Sequence, residues 1–143
     1  MQRSYPSRAS LFAVLADHAA VSDDTVSYLR DGGSRLAFWA EVIANATNEL
    51  AAANLALEIA TAEATLAIAN EVPEGKKPPT VALTEARAAV DPQVIAARRN
   101  AMEIAADLEF AKRAFTSLEK GGSNVRAVLN HKSAELRALG GGD

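Results

Sequence analysis

Between Leu36 and Ala67, apolar residues recur at alternating intervals of three and four positions, and this repeat restricts the fold more than any other feature of the chain. Such a repeat draws one narrow apolar stripe along a helix, and the stripe must be buried against other helices. After Trp39, every second member is Ala, which lets helix backbones approach closely. We call this stripe the first seam and expect Trp39 in the core. Its members are Leu36, Trp39, Ile43, Ala46, Leu50, Ala53, Leu57, Ala60, Ala64 and Ala67.

A second stripe of the same period follows Asp91 and Pro92. An acidic N-cap followed by proline at the first helical position is a strong signal for the start of a helix. Two matched seams joined by a proline-rich connection predict an antiparallel helical hairpin. The members of this second seam are Val94, Ala97, Ala101, Ile104, Leu108, Ala111, Phe115 and Leu118.

The predicted fold class is therefore all-α, with one helical domain over residues 1–143. We expect short N-terminal helices within 1–33, a long helix over 34–71, a hairpin tip over 72–80, and a short helix followed by the second long helix over 81–139. Gly121 and Gly122 lower helix propensity, but apolar spacing resumes after them, so the last helix either breaks there or continues. The predicted N-caps are Ser10, the group Ser22, Asp23 and Asp24, then Ser34, Thr80 and Asp91.

The composition contains no cysteine, which excludes disulfide frameworks, thiolate metal sites and thiol nucleophiles. The apolar run over residues 9–16 resembles a signal peptide but is short and ends at Asp17 and His18. No uninterrupted apolar stretch reaches the roughly 18 residues that span a bilayer. We therefore expect a cytoplasmic protein.

Residues for catalysis or metal binding are sparse. His131 and Glu135 are four positions apart, a spacing more typical of a surface pair than of a metal site. Glu58 and Glu63 point in different directions on one helix, which favours a solvated face over a catalytic pair. The sequence thus predicts a protein that is not an enzyme and uses no cofactor or metal.

Large apolar residues also lie off the two seams, where a single hairpin cannot cover them. The N-terminal helices, further copies of the chain, or both must cover them. Because exposed apolar patches are seldom left bare in a monomer, we predict a homo-oligomer. The residues assigned to the oligomer interface are Phe38, Val42, Leu55, Ile59, Leu66, Met102 and Phe110.

Charge is unevenly distributed. Residues 112–139 contain six basic and two acidic residues, a net charge of +4 in a chain whose net charge is −3. Such a basic segment is a candidate surface for phosphates or an acidic partner. The alternative is that the cations only complement a helix dipole. Likewise, Phe110 and Phe115 either stack on unpaired bases or belong to the core. The candidate nucleic-acid contacts are Lys76, Lys77, Lys112, Arg113, Lys120, Arg126 and Lys132.

The second half of the chain contains Pro79 and Thr80, then Asp91 and Pro92 before a long helix, and ends with the run Leu118-Glu119-Lys120-Gly121-Gly122-Ser123-Asn124-Val125-Arg126-Ala127-Val128. In these features it resembles the phage UvsY-type recombination mediators. The resemblance implies a small accessory protein that forms a ring, binds single-stranded DNA, and helps load a RecA-like recombinase while displacing single-strand binding protein.

The resemblance also implies a basic cluster near the end of the first long helix, but residues 60–70 contain Glu63 and neither Lys nor Arg. A mediator with this sequence must contact DNA through the candidates named above or through Arg3 and Arg8. The alternative is a structural helical assembly or adaptor protein without nucleic-acid binding. A third class, exported helical-hairpin effectors, has a Trp-x-Gly turn that this chain lacks.

Overall fold

A computed structural model describes residues 3–20, 25–71 and 75–140. These residues form helices and connecting turns, with no β-strand in the described ranges. The all-α prediction is confirmed. The helices are α1 (Arg8–Ala19), α2 (Thr25–Arg30), α3 (Gly32–Asn70), α4 (Val81–Ala89) and α5 (Pro92–Gly140).

Two of the predicted N-caps are confirmed. The Thr80 hydroxyl accepts a hydrogen bond from the backbone N–H of Leu83 at 3.4 Å and starts α4. The carboxylate of Asp91 accepts from the backbone N–H of Gln93 at 2.8 Å, with Pro92 as the first residue of α5. Both caps satisfy N–H groups that the first turn of a helix leaves without partners.

The other two predicted N-caps that lie in the described residues, Ser10 and Ser34, were wrong. Ser7 caps α1, because its hydroxyl accepts from the backbone N–H of Ser10, the residue expected to be the cap. Helix α3 begins at Gly32 and already includes Ser34. The caps expected at Ser22, Asp23 and Asp24 lie outside the described residues, as do residues 72–74 of the expected tip.

The chain divides into two compact units. Unit 1 comprises Met1–Ala44 and Leu108–Asp143, and unit 2 comprises Asn45–Asp107. Each unit therefore takes one part of α3 and one part of α5. Unit 1 also contains α1 and α2, and unit 2 also contains α4.

An aromatic cluster forms the centre of unit 1. The Trp39 ring is fully buried and meets Phe38 at 5.5 Å and Phe110 at 6.0 Å between ring centroids. Phe12 of α1 packs on Phe110 at 4.5 Å. Because such tilted and edge-to-face pairs add to the free energy of burial, this cluster binds α1, α3 and α5 together within the unit. The expectation that Trp39 lies in the core is confirmed.

His18 completes this cluster from α1. The indole Nε1 of Trp39 donates a hydrogen bond to Nδ1 of His18 at 3.2 Å, which requires Nδ1 to be unprotonated. Desolvation lowers the pKa of His18 from 6.5, and of two weaker charge effects Asp17 raises it and Arg35 lowers it. The neutral imidazole is therefore the form that the folded unit stabilises.

Small and branched residues of α3, α4 and α5 form the core of unit 2. Ala53 of α3 packs with Ala101 and Ile104 of α5. Further along α3, Ala64 packs with Ala88 of α4 and Val94 of α5. The buried members all belong to the two seams except Ala88, so the three-and-four spacing identified the core of this unit.

Helix α5 passes through Gly121 and Gly122 without a break. The sequence left this point open, because two glycines cost roughly 1 kcal/mol each in helix propensity. A Cβ at Gly121 would lie 3.7 Å from the Tyr28 hydroxyl, an ordinary contact distance, so α2 packs beside α5 at this point.

One helical stretch in the described residues, Val26–Asn70, is long and apolar enough to cross a bilayer by length and composition alone. Only 6% of its apolar window is buried, and both mostly buried core helices and signal sequences meet the same criterion, so it is weak evidence for a membrane span.

The lowered pKa of His18 predicts that the protein loses stability as the pH falls below 6.5. In that interval the unfolded chain binds a proton that the folded chain does not, so the free energy of unfolding decreases with decreasing pH. Urea denaturation at about pH 7.5 and about pH 5.5 measures the effect. His18→Asn keeps an acceptor oxygen near the position of Nδ1 without titrating, so its stability should vary less between these pH values. An equal variation in both proteins would contradict this role of His18.

Two glycines predict stability changes of opposite sign. Nothing lies within 4 Å of a Cβ built at Gly122 in α5, so Gly122→Ala should stabilise the protein by about 0.5 to 1 kcal/mol. Gly75 also has open space around it but has a φ of 84°, and Gly75→Ala should destabilise by about 1 to 2 kcal/mol. Chemical denaturation of the two variants tests whether backbone conformation, rather than space, decides the sign.

Candidate nucleic-acid interface

Helix α5 places three of the predicted DNA contacts around one surface depression of unit 1. Lys112, Arg113 and Lys120 line it together with Thr116 and Ser117. An α-helix turns about 100° per residue, so positions separated by four or eight residues return to nearly the same side. We call these five residues the basic face.

Two of the three cations of the basic face are available for an anion. The Lys112 ammonium pairs with the Glu109 carboxylate at 3.1 Å, whereas neither Arg113 nor Lys120 forms an ion pair with any residue that the structure describes. All three side chains are exposed. An Arg guanidinium can bind two phosphate oxygens at once, and the hydroxyls of Thr116 and Ser117 can donate further hydrogen bonds. The arrangement suits phosphate groups spaced along the helix.

The remaining predicted cations of α5 lie on other sides of the helix. Arg126 lines a groove with Tyr28 and Arg35, whose guanidinium stacks 3.9 Å from the Tyr28 ring centroid. Lys132 lies beside the apolar residues Val128 and Leu129. The step of six residues from Lys120 to Arg126 turns the helix by about 240°, so these charges cannot form one line with the basic face.

The other candidate cations are dispersed. Lys76 and Lys77 are exposed in the segment before α4, within unit 2. Arg3 lies 5.8 Å from the centroid of the Tyr5 ring, and both Arg3 and Arg8 have interaction partners in the structure.

The predicted interface residues divide between the two units. Val42 is buried, and Phe38 and Phe110 are partly buried in the aromatic cluster of unit 1. The ring of Phe110 is stacked within this cluster, and Phe115 is partly buried. The other four interface candidates are exposed in unit 2, with exposed fractions of 56% for Leu55, 51% for Ile59, 63% for Leu66 and 67% for Met102.

Sequence reasoning missed Asp107, a carboxylate only 1% exposed in α5. No buried side-chain oxygen or nitrogen of the described residues lacks a hydrogen-bond partner, so this carboxylate is bonded. The sequence spacing could have predicted its burial, because Asp107 lies three residues after Ile104 and four before Ala111 and so faces the same side as these members of the second seam. A charged residue at a seam position is a candidate for a buried, hydrogen-bonded group.

The described residues contain no group of three or more His, Asp or Glu side chains that could hold a metal ion. Comparison with known proteins adds no assignment, since no family model, curated protein or solved structure matches the chain.

The pair between Lys112 and Glu109 predicts how the basic face responds to a change in local charge. Glu109→Gln removes the competing carboxylate, so the affinity of the protein for a short polyphosphate should rise severalfold at low salt. Isothermal titration measures this change. Glu103→Gln, which neutralises an exposed carboxylate of α5 in unit 2, is the control for net charge. An equal gain in both variants would assign the effect to net charge alone.

Proposed function

We propose that this protein is a non-enzymatic recombination mediator, which assembles with copies of itself, binds single-stranded DNA and helps load a RecA-like recombinase in place of single-strand binding protein. The proposal combines the resemblance of the second half of the chain to UvsY-type mediators with the charge distribution of α5. Its setting would be the cytoplasm, in the host cell for a phage protein.

The single observation that supports DNA binding best is the basic face. Lys112, Arg113 and Lys120 surround one depression whose other lining residues carry hydroxyl groups. In single-stranded DNA the phosphates are accessible and repeat along a flexible backbone, so a short row of cations can follow them. Assembly multiplies the row, which raises the overall affinity above that of one copy.

Core contacts in unit 2 support the proposed antiparallel hairpin. Ala53 packs with Ala101 and Ile104, whereas Ala64, later in α3, packs with Val94, earlier in α5. Contacts that advance along one helix while they retreat along the other are those of antiparallel helices.

A structural assembly or adaptor protein without DNA binding is the second candidate. The exposed Leu55, Ile59 and Leu66 on one helix of unit 2 favour it, since a contiguous exposed apolar patch often marks a protein contact. The net charge of −3 also opposes nonspecific binding to nucleic acid.

Salt dependence separates the two candidates. If the basic face binds phosphates, the logarithm of the affinity for a labelled oligonucleotide decreases linearly with the logarithm of salt concentration. Replacing Lys112, Arg113 and Lys120 by Ala should lower the affinity at least tenfold and reduce that slope by about 2, at about 0.7 per lost phosphate contact. Fluorescence anisotropy at several salt concentrations measures both quantities.

A matched control removes three exposed cations of unit 2, as Arg87→Ala, Arg98→Ala and Arg99→Ala together. This variant should retain most of the affinity. Equal losses in the two triple variants would remove the basic face from the site, and absence of binding by the wild-type protein at low salt would favour the structural candidate. The mediator role itself predicts faster recombinase assembly on DNA covered with single-strand binding protein, measured by recombinase ATPase activity.

A further inference from the structure

Helix α3 carries a second apolar stripe on the side opposite the first seam. It follows the same alternation of three and four positions and begins at Ala52. Because Ala52 comes two residues after the first-seam member Leu50, it faces about 200° away from Leu50. All six members are exposed. We call it the outer stripe, and its members are Ala52, Leu55, Ile59, Ala62, Leu66 and Ala69.

This period is that of a helix packed against another helix. An alternation of three and four positions over about 27 Å drifts by only about 20° per heptad around a straight helix, so the apolar stripe stays on one side and suits packing against a partner helix. The first seam already faces α4 and α5 in unit 2. The outer stripe therefore provides a second helix-packing surface that the single chain leaves without a partner.

We propose that the outer stripe binds the outer stripe of a second copy of this chain, with the two α3 helices antiparallel and related by a two-fold axis. The intervals read three, four, three, four, three in both directions, so a two-fold axis between Ile59 and Ala62 brings every member opposite another member. The layers become Ala52 with Ala69, Leu55 with Leu66, and Ile59 with Ala62 of the partner copy. A surface that is complementary to itself is the requirement for a two-fold interface.

Packing volume favours this direction over the parallel one. Parallel pairing in register would put Ile59 against itself next to a layer of two Ala62 side chains, which alternates crowding with a void. The antiparallel pairing gives two central layers of one large and one small residue, flanked by leucine layers. In this pairing the small Ala52 and Ala69 layers lie only at the two ends, so no layer of two small residues interrupts the larger ones.

The length of the stripe limits the strength of the contact. A pair of helices over about 27 Å buries less than the roughly 1,200 to 2,000 Å² of a stable protein interface. The dimer should therefore dissociate at low concentration. A two-fold contact also closes on itself at two copies, which makes a dimer, rather than a ring, the unit of assembly.

Charge beside the stripe gives this contact a distinctive salt dependence. Glu58 and Glu63 flank it, and no Lys or Arg occurs between residues 36 and 75. The two-fold axis brings like charges together, so added salt should strengthen the dimer, whereas it weakens phosphate binding. This inference extends the proposed self-assembly and does not depend on DNA binding.

Cysteine crosslinking tests the register directly, because the chain contains no cysteine of its own. A mixture of the Ala52→Cys and Ala69→Cys proteins should form crosslinked dimers on mild oxidation. Either variant alone should form at least tenfold less, since its two thiols lie about 25 Å apart along the antiparallel pair. Crosslinking of each variant with itself would overturn the proposal in favour of a parallel pair.

Sedimentation from about 10 to 500 µM completes the test. Leu66→Glu should weaken dimerisation at least tenfold, while Leu83→Glu, at an exposed leucine of α4 in the same unit, should change it less than twofold. Association that survives Leu66→Glu without crosslinking would overturn this pairing and leave self-assembly standing. A wild-type protein that stays monomeric at all these concentrations, whether or not it sediments with phosphatidylcholine vesicles, would overturn both.

Discussion

The structure depends on the burial of one side of α3. Within unit 1 this side supplies Trp39 to the aromatic cluster, and within unit 2 it supplies Ala53 and Ala64 to the helix contacts with α4 and α5. The buried indole and the buried alanines of this stripe stabilise the packing of α3 in different ways. Trp39 contributes a large apolar area and one hydrogen bond to His18, whereas the alanines contribute close approach of helix backbones.

Both proposed functions, in contrast, would depend on the helix sides that the seams leave exposed. On α5 the exposed side in unit 1 carries cations and hydroxyls, and on α3 the exposed side in unit 2 carries the outer stripe. The two surfaces suit different partners, because phosphates are attracted by charge through water while a second helix is held by the removal of water from apolar surface. A protein that binds DNA and assembles with itself needs both kinds of surface, and a structural protein needs only the second.

The sequence predicted helix N-caps correctly where no neighbouring residue could cap the same helix. Thr80 and Asp91 lie next to prolines that prevent the helix from starting earlier, and both cap their helices. Ser7 and Ser10 offer the same hydroxyl chemistry three residues apart, so the sequence could not choose between them. Arg126 and Lys132 lie on other sides of α5 than the basic face, because steps of six and eight residues end on different sides of a helix.

The sequence by itself determined the all-α class, the two seams and the absence of thiol chemistry, because helical period and composition are properties of the chain alone. Only the tertiary structure decided which apolar residues off the seams are covered. Val42 and Phe110 look like Leu55 and Leu66 in sequence, but α1 reaches the aromatic cluster of unit 1 and contributes Phe12 and His18 to it. Whether an apolar residue is buried depends on which helices pack together, and contacts between residues far apart in the chain decide that packing.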